Sequence, residues 1–160
     1  MRVGITGHQK RAGIDWKWVG DRIRLELQKL HPPLEGVSSL AEGADQVFAQ
    51  AILDFGGSLR SIIPTPKYER FFSDEGLRRY RRLKLRSRTE NLDPARNDEA
   101  SFFKAGQYIA DNTDILLAVW DGRPADGVGG TADVVSYALE RGKVVIHIDP
   151  ISRTVRRLTH

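Results

Sequence analysis

The stretch "VWDGRPADGVGGTADVVSYALERGKVVIHID", residues 119–149, decides the fold. It is typical of a strand end, a glycine-rich loop, an amphipathic helix that begins at Thr131, and a further strand. The preceding run "DILLAVW" is the most continuous apolar segment of the chain, as expected for a parallel strand that is buried on both faces. This unit therefore predicts a parallel sheet with right-handed crossovers.

The rest of the chain repeats the alternation of strand and helix. The segments "RVGIT", "GVSSL" and "SLRSIIP" predict three more strands, and amphipathic helices follow the first two. We expect an α/β fold: one Rossmann-like, doubly wound parallel sheet of about five strands, in the order 3-2-1-4-5. A charged helical insertion spans about residues 65–97, between the third and fourth strands. The tail, residues 150–160, has no periodicity and is expected to be irregular or loosely ordered.

The composition bounds the kind of protein. The 160 residues fit a single domain, residues 1–160, that is long enough to bury a core. No cysteine is present, so a disulfide scaffold and a thiolate metal site are excluded, and we expect neither a metal nor a cofactor. The N-terminus lacks the apolar run of a signal peptide and nothing approaches a membrane span, which predicts a cytoplasmic protein without a membrane partner.

The predicted strand order concentrates three loops at one crevice. The first and fourth strands are neighbours in this order, and ligands bind where their carboxyl ends diverge. The loops are "TGHQ" (6–9), "LAEGAD" (40–45) and "DGRPADGVGGT" (121–131). The candidate ligand-binding residues are Thr6, Gly7, His8, Gln9, Glu42, Gly43, Asp45, Asp121, Gly122, Gly129, Gly130 and Thr131.

The glycines before the last helix favour a phosphate site. Exposed amides and the positive end of the helix dipole attract an anion at Gly129, Gly130 and Thr131, and the Thr131 hydroxyl adds a donor. The alternative is a plain loop followed by a threonine N-cap. Gly43 offers a second set of backbone donors at the next helix.

Polar side chains in the same crevice can be ligand contacts, and for Asp45 and His8 a structural role is the alternative. Glu42 and Asp45 can accept hydrogen bonds from a ribose or a base, whereas Asp45 can also merely favour the helix N-terminus. His8 is either a ligand contact or a structural histidine.

Four segments in series resemble a known family. "MRVGITGHQ", "SSLAEGAD", "AGQYIADNTDILLAVWDG" and "GVGGTADVVSYA" look like the SLOG superfamily, the Rossmann-like group that includes LOG nucleotide phosphoribohydrolases and DprA-like proteins. The resemblance covers about residues 1–149. It implies a nucleotide or nucleotide-derived ligand with its phosphate near Gly129 to Thr131.

The resemblance leaves the enzyme question open. LOG enzymes carry a "PGGxGTxEE" motif whose acidic residues serve cleavage of the N-glycosidic bond. Here Asp133 matches the first of these acids, and Val134 stands where the second would be, also the position of the nucleophilic glutamate in nucleoside deoxyribosyltransferases. Asp133 is therefore the candidate catalytic residue of an N-glycosidase acting on nucleoside monophosphates, and binding or sensing without catalysis is the preferred interpretation.

The insertion contains the strongest local charge. "LRRYRRLKLRSR", residues 77–88, carries seven basic residues and no acidic one, within a net charge of +4. It is a solvated helix face, or it supplies Arg78 or Arg82 to the ligand phosphates, or it binds single-stranded nucleic acid as DprA-like proteins do. We also expect a homo-oligomer, with Phe102 or Phe103 near the contact. The base, the number of phosphates and the pathway stay open.

Overall fold

The computed structural model describes residues 1–124 and 130–160, and within these ranges one seven-stranded sheet has the order β4-β3-β2-β1-β5-β6-β7. The first six strands are parallel along the sheet, and β7 is antiparallel to β6. The strands are β1 (Arg2–Gly7), β2 (Glu35–Ser38), β3 (Ser58–Ile63), β4 (Arg88–Asn91), β5 (Ile115–Val119), β6 (Val144–Asp149) and β7 (Thr154–Leu158). The predicted Rossmann-like α/β fold is confirmed.

Helices cover both faces of this sheet, as the burial of its central strands requires. They are α1 (Trp16–Gln28), α2 (Ala44–Asp54), α3 (Asp74–Leu85), α4 (Asp98–Asp111) and α5 (Thr131–Glu140). Apolar residues of α1, α2 and α3 pack on one face, and those of α4 and α5 pack on the other. The side chain of Asp15 caps α1 by accepting a hydrogen bond from the Trp18 amide at 3.1 Å. None of the helices in these ranges is long and apolar enough to cross a membrane.

Two strands were missed by the sequence prediction, which named five. The strand β4 is polar and lies at the sheet edge, where Glu90 forms an ion pair at 3.1 Å with Arg60 of the neighbouring strand β3. The tail is ordered as β7, so the expectation of irregular structure for residues 150–160 is wrong. Val155 and Leu158 pack into clusters on opposite faces of the sheet. Residues three positions apart on a strand point to opposite faces, so the tail lacks the alternation of a half-buried strand, and two apolar residues are too few to define a helical period.

The insertion is a structured part of the domain wall. It forms a short 3-10 helix (Tyr68–Phe71), then α3, then β4. Tyr80 and Leu83 of α3 are buried against Leu40 and Ala49, beside the loop and helix that follow β2. The insertion therefore closes over the carboxyl ends of β2 and β3.

The predicted strand order around the crevice is also confirmed. β1 and β5 are neighbours, and Gly7 is paired with Val119 where both strands end. Helices that follow β1 and β2 lie on one face, and the helix that follows β5 lies on the other. The strand ends consequently open onto a gap between the two helical layers.

Candidate functional site

A cavity of about 290 Å³ lies at the carboxyl ends of β1, β2 and β3. Seven of the predicted ligand-binding residues line it: Thr6, Gly7, Gln9, Glu42, Asp45, Gly130 and Thr131. Helix α4 contributes a further wall through Phe102, Ala105, Gly106 and Ile109. We call this the crevice cavity. Three sequence segments that are far apart in the chain thus meet where the strand order predicts a ligand site.

The N-terminus of α5 opens into the crevice cavity. Gly130 is the N-cap residue, and a glycine provides no side-chain oxygen to accept hydrogen bonds from the first-turn amides. Thr131, the first helical residue, lines the cavity and adds its hydroxyl. An anion in the cavity would therefore meet both amide donors and the positive end of the helix dipole. Gly129, the third residue of the predicted phosphate site, lies outside the described residues.

An aromatic wall faces the same cavity and was not predicted. Tyr68, Phe71 and Phe72 come from the insertion, and Phe102 comes from α4. The rings of Phe71 and Phe102 are 5.0 Å apart and nearly perpendicular, and those of Tyr68 and Phe72 are 5.1 Å apart. Phe71 is 40% exposed, so it offers open ring surface, whereas burial raises the pKa of Tyr68 well above its ordinary value. The repeated aromatics of "YERFF" and "SFFK" were the available signal.

Glu42 lines the cavity but is already engaged. Its two carboxylate oxygens accept hydrogen bonds from the backbone amide and the hydroxyl of Ser73, the latter at 3.0 Å. Ser73 is in turn the N-cap of α3, where its hydroxyl oxygen accepts a bond from the Gly76 amide. A Cβ atom on Gly76 would lie 2.2 Å from Cδ of Glu42, so only glycine leaves room for this carboxylate. Glu42 therefore ties the loop after β2 to the insertion.

Asp45 is the buried titratable group of the cavity. Its carboxylate accepts a hydrogen bond from the Ala41 amide at 3.2 Å, within the loop that leads to α2. Desolvation by burial raises the pKa of Asp45 to about 7, although hydrogen bonds from Ala41, Ser38 and Ser39 act in the opposite direction. Asp45 is therefore substantially protonated near neutral pH, where it can donate a hydrogen bond as well as accept one.

Two glycines at the crevice serve close packing. Gly43 has a φ of +87°, and a Cβ atom there would lie 2.6 Å from the carbonyl oxygen of His8. A Cβ atom on Gly7 would lie 2.7 Å from Cβ of Ala44. The amide of Ala44 donates to the His8 carbonyl at 3.2 Å. These contacts bring the start of α2 against the end of β1, which holds the floor of the cavity together.

His8 and Asp121 are paired outside the crevice cavity. The Asp121 amide donates to Nε2 of His8 at 3.2 Å, and Nε of Arg11 lies 3.0 Å from the Asp121 carboxylate. Burial raises the pKa of Asp121, but hydrogen bonds from the Arg123 amide and the Arg11 side chain, together with the nearby His8, outweigh it and hold that pKa below its ordinary value. Asp121 thus anchors the loop after β1 to the loop after β5. Gly122, with a φ of +80°, forms the turn that follows.

The candidate catalytic residue does not line the crevice cavity. Val134 of α5 lines it, whereas Asp133 in the same turn is half-buried and is not among the described residues of the cavity wall. Val134 packs on α4, where a Cβ atom on Gly106 would lie 2.5 Å from its Cγ2. The position that holds a catalytic glutamate in the resembled enzymes is thus an apolar helix contact here.

The predicted phosphate arginines lie on α3, away from the crevice cavity. Arg82 lines a second cavity of about 610 Å³, between α1, α2 and α3, and Arg78 lines neither cavity. Gly43 also lines the second cavity rather than the first. The predicted oligomer contacts are partly covered by their own chain: Phe102 packs on Phe71, and Phe103 packs on Tyr137. The homo-oligomer itself stays a prediction.

No family model matches the sequence of the chain, and no curated protein matches it either. Several solved structures do match the fold of the chain. DNA processing protein A (DprA) from Streptococcus pneumoniae has a TM-score of 0.66 at 21% identity over 92% of this chain and 50% of its own. Its Helicobacter pylori counterpart, described with a single-stranded DNA binding mode, has a TM-score of 0.65 at 12% identity, over 93% of this chain and 65% of its own.

A molybdenum cofactor binding protein from Rippkaea orientalis has a TM-score of 0.56 at 18% identity, over 91% of this chain and 74% of its own. The chain thus spans about half of one DprA chain and about two thirds of the other. The TM-scores establish a shared fold, and the low sequence identities leave the ligand of this chain open. The chain has the same Rossmann-like fold as these proteins, as its alternating strands and helices predict.

Proposed function

We propose that the chain binds a nucleotide or a nucleotide-derived ligand in the crevice cavity. One observation carries this proposal: the same cavity combines the uncapped N-terminus of α5 with an aromatic wall. A nucleotide needs both, because its phosphate seeks amide donors and its base stacks on aromatic rings. The volume of about 290 Å³ is at the small end of the range of about 300–1,000 Å³ that is typical of ligand pockets.

The charges in the cavity are compatible with an anionic ligand. Glu42 directs its carboxylate at Ser73, and the raised pKa of Asp45 lowers its average negative charge near pH 7. Among the described lining residues there is no arginine or lysine. The phosphate is therefore held by backbone amides and the Thr131 hydroxyl, and the protonated form of Asp45 can donate a hydrogen bond to ligand oxygen or nitrogen.

The relatives of known structure support a ligand of this class. One of the matched proteins binds single-stranded DNA, and another binds the molybdenum cofactor. Single-stranded DNA presents phosphates and aromatic bases, and this chemistry agrees with the two walls of the crevice cavity.

Calorimetric titration of purified protein with the four common ribonucleoside monophosphates tests the proposal. Binding of at least one nucleotide is expected, with much weaker binding of the matching nucleoside. Gly130→Val, which crowds the α5 N-terminus, should weaken the nucleotide by about tenfold, or 1.4 kcal/mol. Phe71→Ala should weaken the nucleotide and the nucleoside alike. Equal affinity of the folded Gly130→Val variant and the wild type would contradict the proposed phosphate position.

A further inference from the structure

The second cavity is basic and adjoins the crevice cavity. Its walls come from three helices and from the loop after β1, and its positively charged lining residues are Lys10, Arg24, Arg79 and Arg82. Gln9 and Glu42 line both cavities, so the two spaces share a boundary. We call it the basic cavity. The proposed nucleotide site therefore continues into a space that, unlike the crevice cavity, is lined by positively charged side chains.

Within residues 1–124 and 130–160, two of the four positive charges that line the basic cavity are held in ion pairs and two are not. Arg24 is paired with Asp54 at 2.8 Å, and Arg79 with Glu75 at 2.7 Å. Lys10 and Arg82 make no hydrogen bond or ion pair with any part of the chain that the structure describes. The one lining carboxylate, Glu42, is directed at Ser73. An anion in the basic cavity would meet these two cations without displacing a partner from the described part of the chain.

Two further groups suit a nucleotide chain better than a bare ion. Trp16 lines the cavity with a half-buried aromatic side chain, and Gln50, whose side-chain nitrogen donates to Asp54 at 2.8 Å, lines it with an amide. Aromatic rings interleaved with basic side chains are the features that bind single-stranded nucleotides. At about 610 Å³, the basic cavity is about twice the volume of the crevice cavity and can hold a phosphate together with a base.

We propose that the basic cavity binds a phosphodiester and the nucleotide beyond it, joined to the nucleotide in the crevice cavity. The inference rests on the proposed function, and it specifies a ligand of at least two linked nucleotides. Its chemistry is common to a free dinucleotide and to a single-stranded oligonucleotide. Arg82 and Lys10 contact the phosphodiester, and the boundary at Gln9 lies where the linkage crosses from one cavity to the other.

The insertion offers a matched pair of variants for the test. Arg82 and Arg78 are exposed arginines one turn apart on α3, and neither forms an ion pair within the described part of the chain. Only Arg82 lines the basic cavity. Arg82→Ala and Arg78→Ala thus remove the same charge from the same helix, with the same small effect on folding. Affinities are measured for a mononucleotide, the corresponding dinucleotide and a ten-nucleotide single strand.

The expected result is selective. Arg82→Ala should weaken the dinucleotide by about tenfold, leave the mononucleotide within twofold, and lower the salt dependence of binding by close to one counterion. Arg78→Ala should leave both affinities within twofold. If the ten-nucleotide strand binds much more tightly than the dinucleotide and loses affinity in Arg82→Ala, the ligand is a nucleic-acid strand; equal affinities identify a dinucleotide.

Other outcomes overturn the inference. Equal losses of dinucleotide affinity in Arg82→Ala and Arg78→Ala would show that only the overall positive charge of α3 matters. Unchanged dinucleotide affinity in Arg82→Ala would show that the ligand does not bind in the basic cavity. A failure of the proposed function looks different, because then Gly130→Val changes no affinity while Arg82→Ala still weakens the oligonucleotide.

Discussion

Gly106 of α4 and Val134 of α5 are in direct contact, and a Cβ atom on Gly106 would lie 2.5 Å from Cγ2 of Val134. The two residues also share the wall of the crevice cavity. Val134 therefore has two roles: it brings the helices together, and it makes part of the cavity apolar. A glutamate at this position would need space that α4 occupies.

The contact predicts that the effect of Gly106→Ala on stability depends on the residue at position 134. Alanine is a better helix former than glycine by about 1 kcal/mol, yet Gly106→Ala should destabilise the protein by about 1–2 kcal/mol because the helices must move apart. In a Val134→Ala background the same substitution should be neutral or stabilising. Urea unfolding of the four proteins measures the coupling. Additive effects would show that the helices do not meet at this pair.

Glu42 predicts how strongly the insertion is attached. Glu42→Gln replaces two charge-assisted hydrogen bonds to Ser73 by weaker ones and should lower the free energy of unfolding by about 1–3 kcal/mol. Hydrogen exchange should rise in α3 more than in α1. Glu75→Gln is the control, since it breaks an exposed ion pair on the same helix and should cost less than about 1 kcal/mol. The prediction fails if both variants have the same stability.

Asp45 predicts pH-dependent binding. Its folded pKa of about 7 lies above the ordinary 3.8, so the neutral form prevails below pH 7 and the charged form above it. An anionic ligand in the crevice cavity should therefore bind about tenfold more weakly at pH 8 than at pH 6. A nucleoside methyl phosphodiester is the suitable ligand, because its phosphate does not titrate in this range. Asp45→Asn should abolish the dependence, and a persistent dependence in this variant would assign it to another group.

The same pKa predicts the direction in which stability changes with pH. Because the folded protein holds a proton on Asp45 that the unfolded chain releases above about pH 4, this group favours folding most at low pH. Its contribution is lost as the pH rises from 4 through 7. Comparing the wild type and Asp45→Asn across this window should isolate that loss as a slope that only the wild type shows.

The apolar wall at Val134 predicts binding without hydrolysis. N-glycosidic cleavage needs a carboxylate beside the developing oxocarbenium ion, and among the described lining residues the only carboxylates are those of Glu42 and Asp45. Incubation with nucleoside monophosphates should therefore release no free base above the rate without protein, as measured by chromatography. Base release that disappears in Asp133→Asn would instead support the glycosidase suggested by the family motif, and release that disappears in Asp45→Asn would identify a different acid.

The sequence predicts the sheet centre and the crevice well because apolar runs and glycine loops report on burial and chain reversal directly. The sequence does not predict strands β4 and β7, because a strand at the sheet edge needs no alternation of apolar residues. In β4, for example, Glu90 is held by an ion pair with Arg60 and by a hydrogen bond from Tyr108. Gly43 shows the limit of residue type. Glycine is expected from the sequence to offer backbone donors to a ligand, which stays a prediction, and its φ and the nearby His8 carbonyl add a packing role that the sequence does not show.

The aromatic wall could not be placed from the sequence, because Phe71 and Phe102 are thirty-one positions apart and meet only through the fold. Long-range pairing of this kind leaves no local period. Arg82 was a candidate phosphate ligand because of its charge, but the sequence could not show that α3 turns it into a space beside the crevice.

The hydrogen bonds between Glu42 and Ser73 join two parts of the proposed site that come from different segments of the chain. The anion end lies in the loops that connect the sheet to its helices. Most of the aromatic wall lies in one contiguous segment, from Tyr68 to Phe72. The distance between the phosphate and the ring of a bound ligand is therefore set by this one carboxylate contact.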